Sequence, residues 1–366
     1  MRTYILALAA VLTLVAGCKR DAPKVEEKAG DVGLAAAQEA EAAVVQEIDA
    51  NLLALFGKLP PSIDRAEGPA SQELVDLGRM LYYDARLSKN HDVSCATCHD
   101  LFNYGVDGKA TSPGHRGLLG DRNSPTVYNA AGRHVQFWDG RAVDVEEQAL
   151  GPILNPVEMG MPDEGRVVAT VKSMPGYVEA FAKAFPNVED PITFNNIGRA
   201  IGAFERGLVT PSPWNRYLDG DKTALTAEEK EGFNTFVSTG CTMCHMGSYV
   251  GGTMFQKLGL VKPWPSEKDL GRFQVTQEEA DKFMFSVPSL RNIAKTGPYY
   301  HDGSVATLEE AVKMMAEYQL GKTISDEDTK SIVTWLNTLT GELPMDYIAK
   351  PKLPESTDKT PKPDPT

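Results

Sequence analysis

Cysteine is scarce in this chain, five in 366 residues, and histidine is nearly as scarce at six. Four of the cysteines fall in two short motifs, so only Cys18 is left for any other role. No N-terminal membrane span is present either: the apolar run from Tyr4 to Val15, broken only by Thr13, is too short to cross a bilayer comfortably. Basic residues are in deficit, 37 against 50 acidic, which gives a formal charge of −13 and argues against nucleic acid as a partner. Alternating apolar and polar runs long enough for a sheet are missing, so the expected fold class is mainly α.

The short apolar run follows Met1 and Arg2 and ends in small residues, which reads as a secretion signal over residues 1–17. Val15-Ala16-Gly17-Cys18 resembles a bacterial lipobox, whose cysteine is acylated and becomes the first residue of the mature protein. The competing reading is an ordinary signal cut nearby, leaving Cys18 a free thiol. Without residues 1–17 the chain keeps 36 basic and 50 acidic residues, a formal charge of −14. That acidity suits an electron donor with a basic patch, and it equally serves solubility. Residues 18–48, rich in Ala, Glu and Lys, are expected to tether the folded part to a membrane through lipidated Cys18. The expected location is therefore periplasmic and lipid-anchored, and Lys19 resembles the signal for the outer membrane of Gram-negative cells. Residues 346–366, rich in Pro and Lys, are expected to form a disordered tail.

Between these ends, Cys95-Ala-Thr-Cys98-His99 and Cys241-Thr-Met-Cys244-His245 repeat one pattern. Two redox-active disulfides would account for the cysteines and not for the histidines. Structural zinc would use both residue types, but zinc modules bring their cysteine pairs within about 15 to 20 residues. Here 142 residues separate Cys98 from Cys241. Covalent c-type haem attachment accounts for everything: two thiols add to the vinyl groups and the next residue supplies an axial nitrogen.

With 42% hydrophobic residues the chain can bury one large core or two modest ones. Ser71 can cap a helix carrying Leu74, Leu77 and Leu81, and Thr226 with Glu229 opens one carrying Phe233, Phe236 and Val237. Each of these helices leads to a haem motif. Thr307 with Glu310 and Ser325 with Asp328 mark two more helix starts, the last ahead of Ile332, Val333, Leu336 and Leu339. The recurrence suggests two cytochrome c-like domains, residues 49–205 and 206–345, each binding one covalent haem. On the Thr307 helix, at about 100° per residue, Met315 falls on the apolar stripe with Leu308 and Val312, and Met314 does not. Met315 is thus the better candidate for a sixth iron ligand, with core packing as the alternative. Outside the motifs the histidines are His91, His115, His134 and His301, of which His115 lies in the glycine-rich "SPGHRGLLG".

These pieces, together with "LGRMLYYDARLS", "RNSPTVYNA", "FWDGRA", "EQALGPI", "NPVEMG" and "VPSLRNIAKTGPYYHDGS" in this order, resemble a bacterial dihaem cytochrome c peroxidase from about Leu74 to Leu343. The resemblance implies that the haem on Cys95, Cys98 and His99 is the peroxidatic one. It makes His115 a displaceable distal ligand and Gln148 with Glu158 the distal pair that assists cleavage of the O–O bond. The haem on Cys241, Cys244 and His245, with Met315 as sixth ligand, would be the electron-entry site, and Trp138 the aromatic residue between the two. Asn123 through its side chain, and Thr296 and Pro298 through carbonyl oxygens, match a calcium site, with His301 nearby. The implied partners are hydrogen peroxide, a small cytochrome c or cupredoxin donor, and a second copy in a homodimer. Two relatives give alternatives: a dihaem enzyme that oxidises a partner protein, in which tyrosine stands where Met315 is, and a dihaem carrier or redox sensor.

Overall fold

All four of the caps named above are formed. In the computed structural model, which describes residues 47–366, Ser71 accepts the Leu74 amide at the head of the Gln72–Tyr83 helix. Thr226 and Glu229 cap each other's backbone amides before Ala227–Thr239. Thr307 accepts from Glu310 before Leu308–Leu320, and Ser325 pairs with Asp328 before Asp326–Asn337. Each such cap satisfies amides that the helix leaves free and is worth about 1 kcal/mol. The leader, Cys18 and the tether through residue 46 lie outside the described residues.

The protein is mainly helical. Two three-residue strands, Phe255–Lys257 and Met284–Ser286, pair antiparallel. Two buried clusters carry the rest. In the first, Leu77 and Leu81 of Gln72–Tyr83 meet Ile197, Ile201 and Phe204 of Phe194–Glu205. These two helices approach so closely that a Cβ on Gly78 would lie 1.8 Å from the Ala200 carbonyl oxygen. The second cluster centres on Trp214, whose ring lies 5.1 Å from Phe233 and 5.4 Å from Trp335. Here Ala227–Thr239 crosses Asp326–Asn337, and a Cβ on Gly232 would lie 2.2 Å from the Ser331 carbonyl oxygen. Both haem motifs are therefore introduced by a helix seated on a later helix through a glycine.

The two ends of the described chain cross between these cores. Ile48 and Phe56 pack with Trp214 and Trp335 in the second cluster. Ile348 belongs to the first cluster, where the Tyr347 ring stacks 5.2 Å from Phe204. Residues 346–366 correct the expectation of disorder. Tyr83 donates to the Ile348 carbonyl at 2.7 Å, Thr357 donates to the Ser173 carbonyl at 2.9 Å, and the Asp364 amide donates to Lys89 at 3.0 Å. Composition misleads here because proline stiffens an extended segment and lowers the entropy lost on docking. Polar contacts to a preformed surface then suffice where apolar residues are few.

Candidate functional site

Ser94 and Thr97 form a capping box around the one-turn helix Cys95–Cys98, and the His99 amide closes it on the Cys95 carbonyl at 2.9 Å. Buried Tyr82 donates to the His99 carbonyl at 2.7 Å, which fixes the residue behind the ring. In the second motif Gly240 ends the preceding helix in the left-handed region, at φ 105°, and a single 3-10 turn covers Cys241–Met243. His245 is buried with Nδ1 3.4 Å from the Val250 carbonyl oxygen. Gly251, at φ +125°, leaves room for that ring: a Cβ there would meet the Pro288 carbonyl at 2.2 Å and His245 Nδ1 at 3.1 Å.

The chemistry of these groups fits haem better than the competing readings. All four motif cysteines are unpaired. Among the described residues no three His, Cys, Asp or Glu side chains converge on a possible metal position, which speaks against structural zinc. Burial pushes the Cys98 thiol up to about 11 and Cys241 up to about 12, so neither is an activated thiolate. Burial also lowers His99, and it brings His245 down to about 4. Both rings are thereby kept neutral, the form that ligates iron. His99 Nδ1 is buried without a partner among the described residues.

One open cleft, of about 1630 Å³ including its mouth, joins the second motif to much of the predicted site. Cys241, Cys244, His245 and Met315 line it, whereas Met314 does not. Trp138, Asn123, Thr296, Pro298 and His301 line the same cleft. Trp138 Nε1 donates to the Asn123 carbonyl at 2.9 Å, and the Asn123 amide donates to the His301 carbonyl at 2.7 Å. Asn123 spends its side-chain nitrogen on the Lys109 carbonyl at 2.9 Å, which leaves Oδ1 as an acceptor without a hydrogen bond among the described residues. The His301 ring stacks on Phe285 with centroids 4.5 Å apart.

Of the three residues expected on the distal side of the first motif, His115 and Glu158 meet through a backbone hydrogen bond. His115 opens a three-residue 3-10 turn, is buried, and its amide donates to the Glu158 carbonyl at 2.6 Å. Glu158 is partly buried, and desolvation raises its carboxyl above the ordinary range against the opposing charge of Arg141. Gln148 projects from Val145–Leu154, the helix that leads into the Glu158 turn, and is itself half-buried.

Several residues in and around the site carried no sequence signal. Arg122 bonds Asp139 at 2.5 Å and holds Asp269 through Nε at 2.6 Å and Nη2 at 2.8 Å. Asp269 is 147 residues from Arg122, so no local pattern announces the pair. Arg133 faces the cleft, bonds Gln136 at 3.1 Å, and keeps a buried Nε without a partner among the described residues. A partly buried cation whose Nε–H has no partner among the described residues suits a haem carboxylate.

A mainly helical chain with two separate Cys-x-x-Cys-His motifs, each ending in a histidine kept neutral by desolvation, defines a dihaem c-type protein. The family model described as di-haem cytochrome c peroxidase matches residues 72–223. The chain is 45% identical over 317 residues to a cytochrome c551 peroxidase of Pseudomonas aeruginosa, covering 85% of this chain and 90% of that protein. It is 46% identical over 305 residues to a cytochrome c551 peroxidase of Nitrosomonas europaea, covering 82% and 89%. Its fold matches the crystal structure of a MauG-like protein associated with microbial copper homeostasis, with TM-score 0.68 and 29% identity over 83% of this chain and 97% of that one. The chain belongs to the bacterial dihaem cytochrome c peroxidase family and is an oxidoreductase of that peroxidase class. Membership implies two covalently bound haems c.

Proposed function

We propose that the protein reduces hydrogen peroxide to water at the first motif, with electrons received at the second from a small cytochrome c or cupredoxin. The observation that carries this reading is the backbone hydrogen bond that brings buried His115 to partly buried Glu158, apart from the cleft that gathers Met315 and Trp138. Bound haem supplies the redox-active iron at both places. Cys95 and Cys98 would tether the first haem and His99 would ligate it, while Cys241 and Cys244 would tether the second, with His245 and Met315 as its ligands. Glu158, raised by burial, holds and returns a proton, and Gln148 orients the peroxide by hydrogen bonding. Two protons and two donor electrons with one peroxide give two waters, so the carboxyl is regenerated each cycle. With haem bound, His115 would serve as the displaceable ligand of the first iron, and Trp138 would lie on the electron path between the halves.

Calcium is assigned to the Asn123 side chain and the Thr296 and Pro298 carbonyls, an all-oxygen environment that suits it. The assignment is supported by Asn123 Oδ1, which has no hydrogen bond among the described residues, and by the bond that ties Trp138 to the same residue. Residues 49–205 and 206–345 are read as two cytochrome c-like domains, a reading supported by the paired helix crossings at Gly78 and Gly232, although Phe56 packs in the second core and Leu208 in the first. We assign the protein to the periplasm as a homodimer, anchored to the outer membrane through lipidated Cys18. The partner-oxidising alternative is less well supported, since a methionine stands at the cleft position where those enzymes resemble one another in carrying tyrosine.

The test is peroxide consumption by the calcium-loaded dihaem protein with reduced cytochrome c, run on fully oxidised and on half-reduced enzyme. Consumption of two donor electrons per peroxide is expected in at least one state. Turnover confined to the half-reduced enzyme supports the His115 gate, and His115→Gly should then turn over in both states. No turnover in either state, with both haems present, would overturn the peroxidase reading.

A further inference from the structure

The docked tail ends on the proposed mobile ligand. His115 Nε2 lies 3.2 Å from the carbonyl oxygen of Thr366, 251 residues away in sequence. Lys89 fastens the tail at this point: its Nζ lies 2.7 Å from the same Thr366 oxygen and 3.6 Å from the Asp364 carboxylate. The Lys89 backbone carbonyl accepts the Asp364 amide at 3.0 Å, and its own amide donates to Met159 at 2.8 Å. One lysine thus joins the tail to the turn that carries Glu158. Farther back, Ser173 donates to Thr360 at 2.9 Å and Arg86 to Ser356 at 2.8 Å. The His115 ring packs over Gly160, where a Cβ would approach it to 3.1 Å, so the ring has a fitted seat in this orientation.

The Thr366 oxygen carries no hydrogen and only accepts hydrogen bonds, so the contact requires that Nε2 carry its hydrogen. A ring nitrogen that carries hydrogen has no in-plane lone pair to give a metal. The other nitrogen, Nδ1, is buried without a partner among the described residues and stands next to the ring's own Cβ attachment, which hinders approach of a planar haem. The tail and the iron therefore compete for one atom. We propose that residues 353–366 form an internal strap that holds His115 off the first haem iron and so favours the open, peroxide-accessible state before any reduction. The proposal rests on the reading of His115 as a displaceable iron ligand. A single ordinary hydrogen bond shifts a two-state ratio by about fivefold, and Lys89 with the Ser173 and Arg86 contacts adds the anchoring that keeps the carbonyl in place.

The test compares the oxidised, calcium-loaded dihaem protein with a form shortened after Lys352, which keeps the Tyr347 and Ile348 anchors. The spin state of the first ferric haem is read by electron paramagnetic resonance. Shortening should raise the low-spin to high-spin ratio about fivefold, and Lys89→Met in the full chain should move it the same way. A synthetic peptide of residues 353–366, added in excess to the shortened protein, should restore the high-spin form, which loss of folding could not mimic. An unchanged ratio in both the shortened protein and Lys89→Met overturns the strap. Adding His115→Gly to the shortened protein separates the two readings: return to high spin supports both, whereas a persistent low-spin signal means that another residue is the ligand and overturns the His115 reading with the strap that rests on it.

Discussion

The two proposed movable-and-fixed ligands differ in what carries them. Met315 stands inside a thirteen-residue helix, capped by Thr307 at one end and closed by Gly321 in the left-handed region at the other. His115 opens a three-residue turn whose other two members, Arg116 at φ 61° and Gly117 at φ 71°, are left-handed. A helix holds its side chains through a ladder of bonds that yield together, whereas such a turn can re-aim one residue at the cost of two or three contacts. The first suits a permanently ligated electron carrier and the second a site that must open. The halves share a helix-on-helix scaffold and diverge in the segment proposed to present the sixth ligand.

The strongest way to break this contrast is to change the fixed ligand. Met315→His replaces a thioether that favours ferrous iron by an imidazole that favours ferric. Axial choice spans about 0.8 V, and a loss on the order of 0.2 V is expected at the second haem, more than a thousandfold in the electron-transfer equilibrium. Potentiometric titration of the two haems checks it. A shift at the second haem with the first unmoved would sharpen the distinction, and no shift at either would remove Met315 as a ligand.

The shared scaffold can be tested next. Gly78→Ala and Gly232→Ala each place a methyl against a backbone carbonyl, at 1.8 Å from Ala200 and 2.2 Å from Ser331. Overpacking of this kind costs roughly 1–3 kcal/mol. The closer approach should make Gly78→Ala the more damaging, and thermal unfolding of the two holoproteins measures it. Equal and negligible losses would mean that the crossings are not constrained by their glycines.

How far these features were visible beforehand follows the range over which each is encoded. The haem motifs, the four caps and the face of Met315 are local patterns, set within a few residues by covalent spacing, backbone amides and helical pitch. Trp138 and Asn123 were reached by resemblance, and the structure adds the bond between them. Arg122 with Asp269, Arg133 in the cleft, and Tyr82 behind His99 depend on tertiary approach, which one sequence does not display. The tail was misjudged because its docking surface is made by distant residues such as Ser173 and Lys89. The crossing of Ile48 and Phe56 into the second core escaped notice for the same reason.

A smaller asymmetry concerns charge beneath the motifs. Glu205, at the end of the helix that crosses Gln72–Tyr83, is fully buried, and its charge is felt at Cys95 and Tyr82. Desolvation, reinforced by Glu146 and opposed by Arg133 and Arg206, raises its carboxyl from 4.5 to about 8. The charges felt at Cys241 are those of Lys322 and the neighbouring Cys244, with no carboxylate among them. A carboxyl raised on folding stabilises the folded state most below its unfolded value, and that contribution is lost as pH rises toward the folded value. Stability of the holoprotein should therefore decline between about pH 4.5 and pH 8 by up to about 1.4 kcal/mol per pH unit from this group. Glu205→Gln keeps the shape, removes the titration, and should flatten that slope in denaturant unfolding measured across the range. An unaltered slope would mean that Glu205 finds a compensating charge in the folded protein, and that the two motifs rest on electrically similar ground.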